Sequence, residues 1–254
     1  MPILCVQGIQ GSVGNSTVVA NVARLLQELN QDVLVFDLNP NNLLRLHFNM
    51  DWQNPVGWAS HITHKKPWYQ AAFKCEQGVQ FIPFGTLDYT EYEHLIHEVI
   101  YENWLSQQLE NLNFPASKWI ILNTSNELNT LSVQALNACN MIIRVCTPDL
   151  SCLSQLVNSI QSNYINSRPE LSDKAFFLIN KLSAVSQLEN DLSLVFKNLM
   201  QKKLIPVNVH DDENIKEAFA FKSTVSLYAS KSAATKELRS LAIWLLTQFN
   251  VQSS

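Results

Sequence analysis

The chain contains no run of eighteen apolar residues, so no helix of it is expected to cross a membrane. Residues 1–6 carry neither a basic segment nor a long apolar stretch, which argues against a secretion signal. Basic side chains are the minority, 18 Lys and Arg against 22 Asp and Glu, and the formal charge of −4 excludes a protein that coats nucleic acid by bulk electrostatics. Cysteine is sparse and odd in number, five without paired spacing, so a disulfide framework is excluded and a reducing compartment expected. Apolar side chains are not lacking: at 46% they exclude wholesale disorder. The 25 Asn and 17 Gln are scattered between apolar runs and form no prion-like tract. Glycine numbers only six, so its placement carries information.

Gly8, Gly11 and Gly14 fall within one short segment. They follow the apolar run Ile3-Leu4-Cys5-Val6 and precede a stretch where Val19, Val22, Ala23, Leu26 and Leu29 recur at helical spacing. The order is strand, glycine loop, helix. Further strands are expected at Val33-Leu34-Val35-Phe36, Val79-Gln80-Phe81-Ile82, Trp119-Ile120-Ile121-Leu122, Met141-Ile142-Ile143-Arg144-Val145, Ala175-Phe176-Phe177-Leu178-Ile179 and Leu204-Ile205. Helical patterns lie over 87–112, 127–138, 150–163, 185–201, 213–221 and 231–249. Strands apolar on both faces, separated by helices, imply an α/β fold: a mostly parallel β-sheet flanked by helices on both faces. No linker, repeat or composition break divides the chain, so 1–254 reads as a single domain. The least regular stretch, 50–78, holds Trp52, Trp58 and Trp68 beside Pro55 and Pro67. An insertion packed by its own aromatics is favoured there over a partner surface.

In open α/β sheets ligands gather at the carboxyl ends of the strands. The loop Gly8-Ile9-Gln10-Gly11-Ser12-Val13-Gly14-Asn15-Ser16-Thr17 lies there. A phosphate-binding loop works through backbone amides, a helix N-terminus, a lysine, and a Ser/Thr hydroxyl on magnesium. This loop keeps the small residues and the Ser16-Thr17 pair, but has Asn15 where the lysine belongs and Ile9 where the first glycine belongs. By itself it fits a phosphate cradle and a tight turn capped by Asn15 or Ser16 equally well.

The loop, then Val35-Phe36-Asp37-Leu38-Asn39-Pro40, then Ile120-Ile121-Leu122-Asn123-Thr124, resembles the ParA/MinD family of deviant Walker ATPases. There the three elements read like Lys-Gly-Gly-Val-Gly-Lys-Thr-Thr, Val-Leu-Leu-Ile-Asp-x-Asp-Pro and Ile-Ile-Ile-Asp-Thr-Pro. Val145-Cys146-Thr147-Pro148-Asp149, Leu178-Ile179-Asn180-Lys181 and Leu204-Ile205-Pro206 follow in the family's order, so the resemblance spans essentially the whole chain. It implies a P-loop NTPase fold, ATP as cofactor, and Gly11, Ser12, Val13, Gly14, Asn15, Ser16 and Thr17 around the phosphates. It also implies Asn180 against the adenine edge, which an amide can pair with, and Pro206 at the start of the loop beside the base. A narrower resemblance is to the family's cellulose-biosynthesis branch. It rests on Asn42-Leu43-Leu44-Arg45-Leu46, Phe48-Asn49, Gly57-Trp58-Ala59, Pro83-Phe84-Gly85, Val225-Ser226-Leu227-Tyr228 and the segment from Leu241 to Leu246. That branch implies a homodimer, with a small partner protein and cellulose synthase components as partners. It implies a cytoplasmic location with peripheral attachment at the inner membrane; the net charge of −4 and the lack of a basic C-terminal surface argue against a nucleic-acid partner.

Four family positions are altered. The loop lysine that crosses the dimer is Gln10, and the second loop lysine is Asn15. The carboxylate that positions the attacking water is Asn39. The carboxylate that holds magnesium through water is Asn123. Asp37 is the acidic residue retained, and Ser16 is what remains to hold magnesium. A charge-assisted contact is worth about 1.5–3 kcal/mol, so loss of the loop lysine weakens nucleotide binding by roughly 10- to 150-fold. Binding through the amides survives such a loss. Phosphoryl transfer depends almost wholly on positioning and charge stabilisation, so a nucleotide-binding scaffold with little or no hydrolysis is expected. A slow ATPase that localises the secretion machinery, and a positioning ATPase for another cargo, are the alternatives.

Cys139, Cys146 and Cys152 lack the close pairs of a zinc site and read as buried structural cysteines. His61 and His64, and His94 and His97, lack a further ligand by sequence. The last helix carries Leu238, Leu241, Leu245 and Phe249 on one stripe. Packing on the sheet is favoured over membrane attachment, because Glu237 interrupts its basic face.

Overall fold

The computed structural model describes residues 1–101, 103–162 and 168–252. Among these, seven strands form one sheet: β1 (Ile3–Gly8), β2 (Val33–Asp37), β3 (Phe73–Lys74), β4 (Gln80–Ile82), β5 (Trp119–Asn123), β6 (Met141–Cys146) and β7 (Ala175–Ile179). Their order is β3-β4-β2-β5-β1-β6-β7. β3 runs antiparallel to β4, and every other neighbouring pair is parallel. The α/β architecture expected from the apolar runs is therefore the one observed. Alternation along each strand divides the core into two layers. Leu4, Val6, Val35 and Ile121 face the helices Asn15–Glu28 and Ala233–Gln252. Cys5, Leu34, Phe36, Ile120 and Leu122 face the other layer, beneath the helices Trp58–Thr63, Tyr89–Glu98, Trp104–Asn111 and Thr130–Ala138.

Three expectations are corrected. Leu204-Ile205 is not a strand: Leu204 makes one bridge to Phe177, and the Ile205 N–H donates to the Phe177 carbonyl at 2.8 Å. Pro206, without an N–H, interrupts the pairing, and the segment meets β7 again where the Val209 N–H donates to the Ile179 carbonyl at 2.9 Å. The short edge strand β3 was not anticipated. The helix expected over 87–112 is two helices, Tyr89–Glu98 and Trp104–Asn111. Gln134, on the helix Thr130–Ala138, explains the break. Its carbonyl oxygen accepts the Leu105 N–H at 2.9 Å and its amide donates to the Val99 carbonyl, so two backbone groups of the interruption are satisfied from outside. Residue 163, the expected end of the helix that runs Leu150–Ser162, lies outside the described residues. The last helix packs on the sheet as expected, with Leu241 and Leu245 fully buried and Phe249 edge-on to Trp119.

The 50–78 stretch is packed by aromatics, but onto the sheet. Trp58 is fully buried edge-on to Phe36, and Trp68 stacks on Phe36 with 5.2 Å between ring centroids. Trp52 stays exposed. Gly57-Trp58-Ala59 and Pro83-Phe84-Gly85, far apart in sequence, lie against each other. Trp58 and Ala59 N–H groups donate to the Pro83 and Phe84 carbonyls at 3.0 and 3.1 Å. A Cβ on Gly57 would come within 2.1 Å of the Gly85 backbone nitrogen, so this contact requires glycine.

Candidate functional site: the phosphate loop and three strand ends

β1 sits between β5 and β6, the point where the chain changes direction across the sheet, and this is where open α/β sheets bind ligands. The register sets the floor of the site. Asn123 at the end of β5 stands beside Val6 of β1 and Asp37 of β2. Above this floor the glycine loop turns into the helix Asn15–Glu28. Gly14, with φ of +91°, is the residue that makes the turn, and no side chain caps the helix, so neither Asn15 nor Ser16 is the N-cap. A Cβ on Gly14 would also come within 2.5 Å of the Asn180 side-chain nitrogen.

Asn180 and Lys181, just past the end of β7, hold the loop from the side. The Asn180 amide donates to the Val13 carbonyl at 2.7 Å, and Lys181 Nζ donates to the Ser12 carbonyl at 2.8 Å. A cavity of about 340 Å³ opens over the loop, lined by Gln10 to Thr17, Asn39, His47, Thr124, Lys181 and Phe219. A second cavity of about 220 Å³ shares Gly14, Thr17, Lys181 and Phe219 with it and adds Asn180, His210, Asp211 and Asp212. His210 is fixed there by Glu237, whose carboxylate accepts its backbone N–H at 2.9 Å and lies 2.6 Å from its Nδ1. Every loop residue expected around the phosphates thus lines the first cavity, and Asn180 lines the second. Pro206 is exposed and lines neither.

The four altered positions behave differently from one another. Asn15 turns down into the floor: its Nδ2 lies 3.1 Å from the Val6 carbonyl, 3.0 Å from the Thr124 carbonyl and 2.8 Å from Asn123 Oδ1. Asn123 Nδ2 donates onward to Asp37 Oδ1 at 2.7 Å and to Ser16 Oγ at 3.3 Å. Asp37 Oδ1 also accepts the Asn39 N–H at 3.1 Å. Asn39 Oδ1 is taken up by the Asn41 N–H. Gln10, at the rim of the cavity, is tied to the helix Leu150–Ser162, where Ser151 Oγ and Gln155 Nε2 donate to its Oε1 at 2.9 and 3.4 Å.

Two titratable groups are displaced from their usual ranges. Burial pushes the Asp37 carboxyl up to about 7, against the opposing pull of the Asn123 amide, the Asn39 N–H and the Arg45 charge. Burial pushes His47 down to about 4. Its ring lies 4.5 Å from that of Phe219, with Nε2 3.5 Å from Thr17 Oγ1. His47, Phe219 and Lys181 were not singled out from the sequence. For Lys181 a signal existed, a cation next to Asn180 at a strand end. A lone histidine among apolar residues gave none.

A phosphate fits this loop: a helix N-terminus, the Ser16 and Thr17 hydroxyls and Lys181 line one cavity. Magnesium does not fit. It requires oxygen ligands in near-octahedral array, whereas Ser16 Oγ and Asp37 Oδ1 both face the Asn123 N–H donors.

The model of the family described as cellulose biosynthesis protein BcsQ matches residues 1–246. The cellulose biosynthesis protein BcsQ of Escherichia coli (strain K12) is 30% identical over 251 residues, 98% of this chain and 96% of that protein. That of Salmonella typhi is 31% identical over 249 residues, 97% and 94% of the two. Among solved structures, the septum site-determining protein MinD of Pyrococcus horikoshii, complexed with Mg-ADP, superimposes with a TM-score of 0.72 at 19% identity, covering 95% of this chain and 94% of that one. The cobyrinic acid a,c-diamide synthase of Mycobacterium smegmatis, with bound ATP analogue and magnesium, gives 0.73 at 18% identity, covering 98% and 95%. These likenesses establish the ParA/MinD-type P-loop fold.

Proposed function

The chain belongs to the BcsQ family of cellulose biosynthesis proteins, and from that premise we propose that it is a nucleotide-binding scaffold or regulator of cellulose secretion that hydrolyses ATP little or not at all. The observation that carries this reading is the floor of the site. The loop keeps its shape, held through Val13 and Ser12 by Asn180 and Lys181. The groups that would orient water and stabilise charge are neutral amides: Asn15 donates to Asn123, Asn123 donates to Asp37, and the Asn39 side chain accepts the Asn41 N–H. Nucleotide lies with its phosphates on Gly11 to Thr17 and its base in the cavity beside Asn180. Asp37 is fully buried beneath the floor and does not line the cavity, so it cannot reach a water held there.

The protein acts as a homodimer whose assembly depends little on ATP. Gln10 is neutral and already bonded within its own chain, so two copies of the loop approach without the repulsion of paired lysines. A small partner protein and cellulose synthase components are its partners, in the cytoplasm and at the periphery of the inner membrane. No helix among the described residues is long and apolar enough to cross a membrane. Titration calorimetry with ATP, followed by a phosphate-release assay on the same sample, tests the central claim. Heat of binding without phosphate release supports it. Turnover at a rate abolished by Ser16→Ala overturns it.

A further inference from the structure

The direction of each hydrogen bond across the floor is fixed by two backbone carbonyls. Val6 and Thr124 present carbonyl oxygens to the end of the Asn15 side chain, and a carbonyl can only accept. The atom facing them is therefore the amide nitrogen of Asn15. That nitrogen also faces Asn123, so Asn123 must turn its oxygen toward Asn15. Its own nitrogen is then forced toward Asp37 and Ser16. No amide in the relay can be flipped without setting two donors or two acceptors against each other. The polarity set at the ends of β1 and β5 thus reaches the place where a P-loop protein offers oxygens to a divalent cation. At that place this chain presents N–H.

From this relay we infer that the site excludes divalent cations and takes its phosphate ligand as the metal-free anion. The ligand's identity rests on the nucleotide reading above; the exclusion of metal rests on the relay alone. Asp37 Oδ2 and Asn15 Oδ1 are left without partners, but both are buried. Asp37 Oδ1 is already committed to two N–H donors. An ion placed here would have to break the Asn123–Asp37 bond and would gain no second carboxylate in return. Charge compensation for the phosphates falls to Lys181 and to the helix N-terminus, neither of which needs a metal.

The test compares ATP binding in excess EDTA with binding in excess magnesium chloride, by titration calorimetry on the full chain. Excess magnesium converts ATP into its chelate, so the wild-type dissociation constant should rise about ten-fold or more in magnesium, whereas a protein that holds the ion through its own oxygens binds the chelate as tightly or more tightly. Asn123→Asp keeps the oxygen that accepts from Asn15 and replaces the N–H that faces Asp37. It should bind ATP at least about ten-fold more tightly in magnesium than in EDTA, the reverse of the wild type. A wild-type protein tightened ten-fold by magnesium, with the gain lost in Asp37→Asn, overturns the inference. If ATP binds under neither condition, the nucleotide reading fails, and manganese(II) alone decides the rest by electron paramagnetic resonance. Free manganese with the wild-type protein and bound manganese with Asn123→Asp upholds metal exclusion. Manganese bound by the wild type and released by Asp37→Asn refutes it.

Discussion

Two halves of one cleft differ in kind. On the side of β7, charged side chains surround the second cavity: Glu237 behind His210, Lys216 with Asp211 and Glu213, and Lys181 on the loop. At the ends of β1, β2 and β5, a single carboxyl remains, and the rest of the floor is amide. Yet both halves hold the same loop. Loop shape is secured by glycine at Gly14, by carbonyl contacts from Asn180 and Lys181, and by strand register, none of which requires the charges that catalysis requires. The shape of the loop is therefore held independently of the charges at the strand ends.

The largest expected difference between the halves is in turnover. Phosphate release should stay at background, because removal of even one charge-stabilising group costs phosphoryl transfer about 10³-fold or more; a continuous phosphate assay reads it. Gly14→Ala should cost about 2–4 kcal/mol by chemical denaturation and abolish ATP binding, since it strains a left-handed residue and displaces the Asn180 amide. Asn180→Ala attacks the same loop from the charged half. It leaves the Val13 carbonyl without its donor and should cost about 1–3 kcal/mol, measured the same way.

Acidity sharpens the comparison. Asp37, raised to about 7 in the folded protein from a usual 3.8, binds more protons folded than unfolded, so its contribution to stability falls as pH rises from about 4 to 7. His47, lowered to about 4 from 6.5, binds fewer protons folded, so its contribution rises over about 4 to 6.5. At 1.36 kcal/mol per pKa unit each contributes a few kcal/mol, with opposite sign. The wild-type denaturation midpoint should be nearly flat across this window. Asp37→Asn should make it climb with pH, and His47→Gln should make it fall. The smallest effect is expected of Asn15→Lys. It restores a cation beside the phosphates and should tighten ATP by one to two decades, about 1.4 kcal/mol each. It also removes the donor to Asn123, so a loss of about 1 kcal/mol in stability should accompany the gain.

Much of this was legible in the sequence, for identifiable reasons. Strands buried on both faces write themselves as continuous apolar runs, and β1, β2, β5, β6 and β7 did so. The loop was legible because three of only six glycines fall within it. The altered positions were readable as residue types, but not as a connected relay. Nothing in the spacing of Asn15 and Asn123 shows that both meet over Val6 until β1 and β5 are paired. The break between Tyr89–Glu98 and Trp104–Asn111 was invisible for the same reason, since Gln134 reaches it from another helix. His47 and Phe219 meet over the cavity from segments far apart in the chain. Local pattern carries local structure, and long-range polar pairing leaves no periodic trace.

The Trp58 indole N–H donates to the main-chain carbonyl of Asp37 at 2.7 Å, while its ring is sealed among Phe36, Phe84 and Trp104. Indole emission responds to the hydrogen bond at its nitrogen and to the polarity around its ring. The bond lies directly behind the floor of the cleft, on the same residue whose side chain closes the amide relay. Trp58 is thus a native optical sensor wired to Asp37. A ligand that shifts the β2 terminus alters the environment of this indole, and one that leaves the terminus in place does not, so emission from Trp58 reports movement at the floor of the cleft.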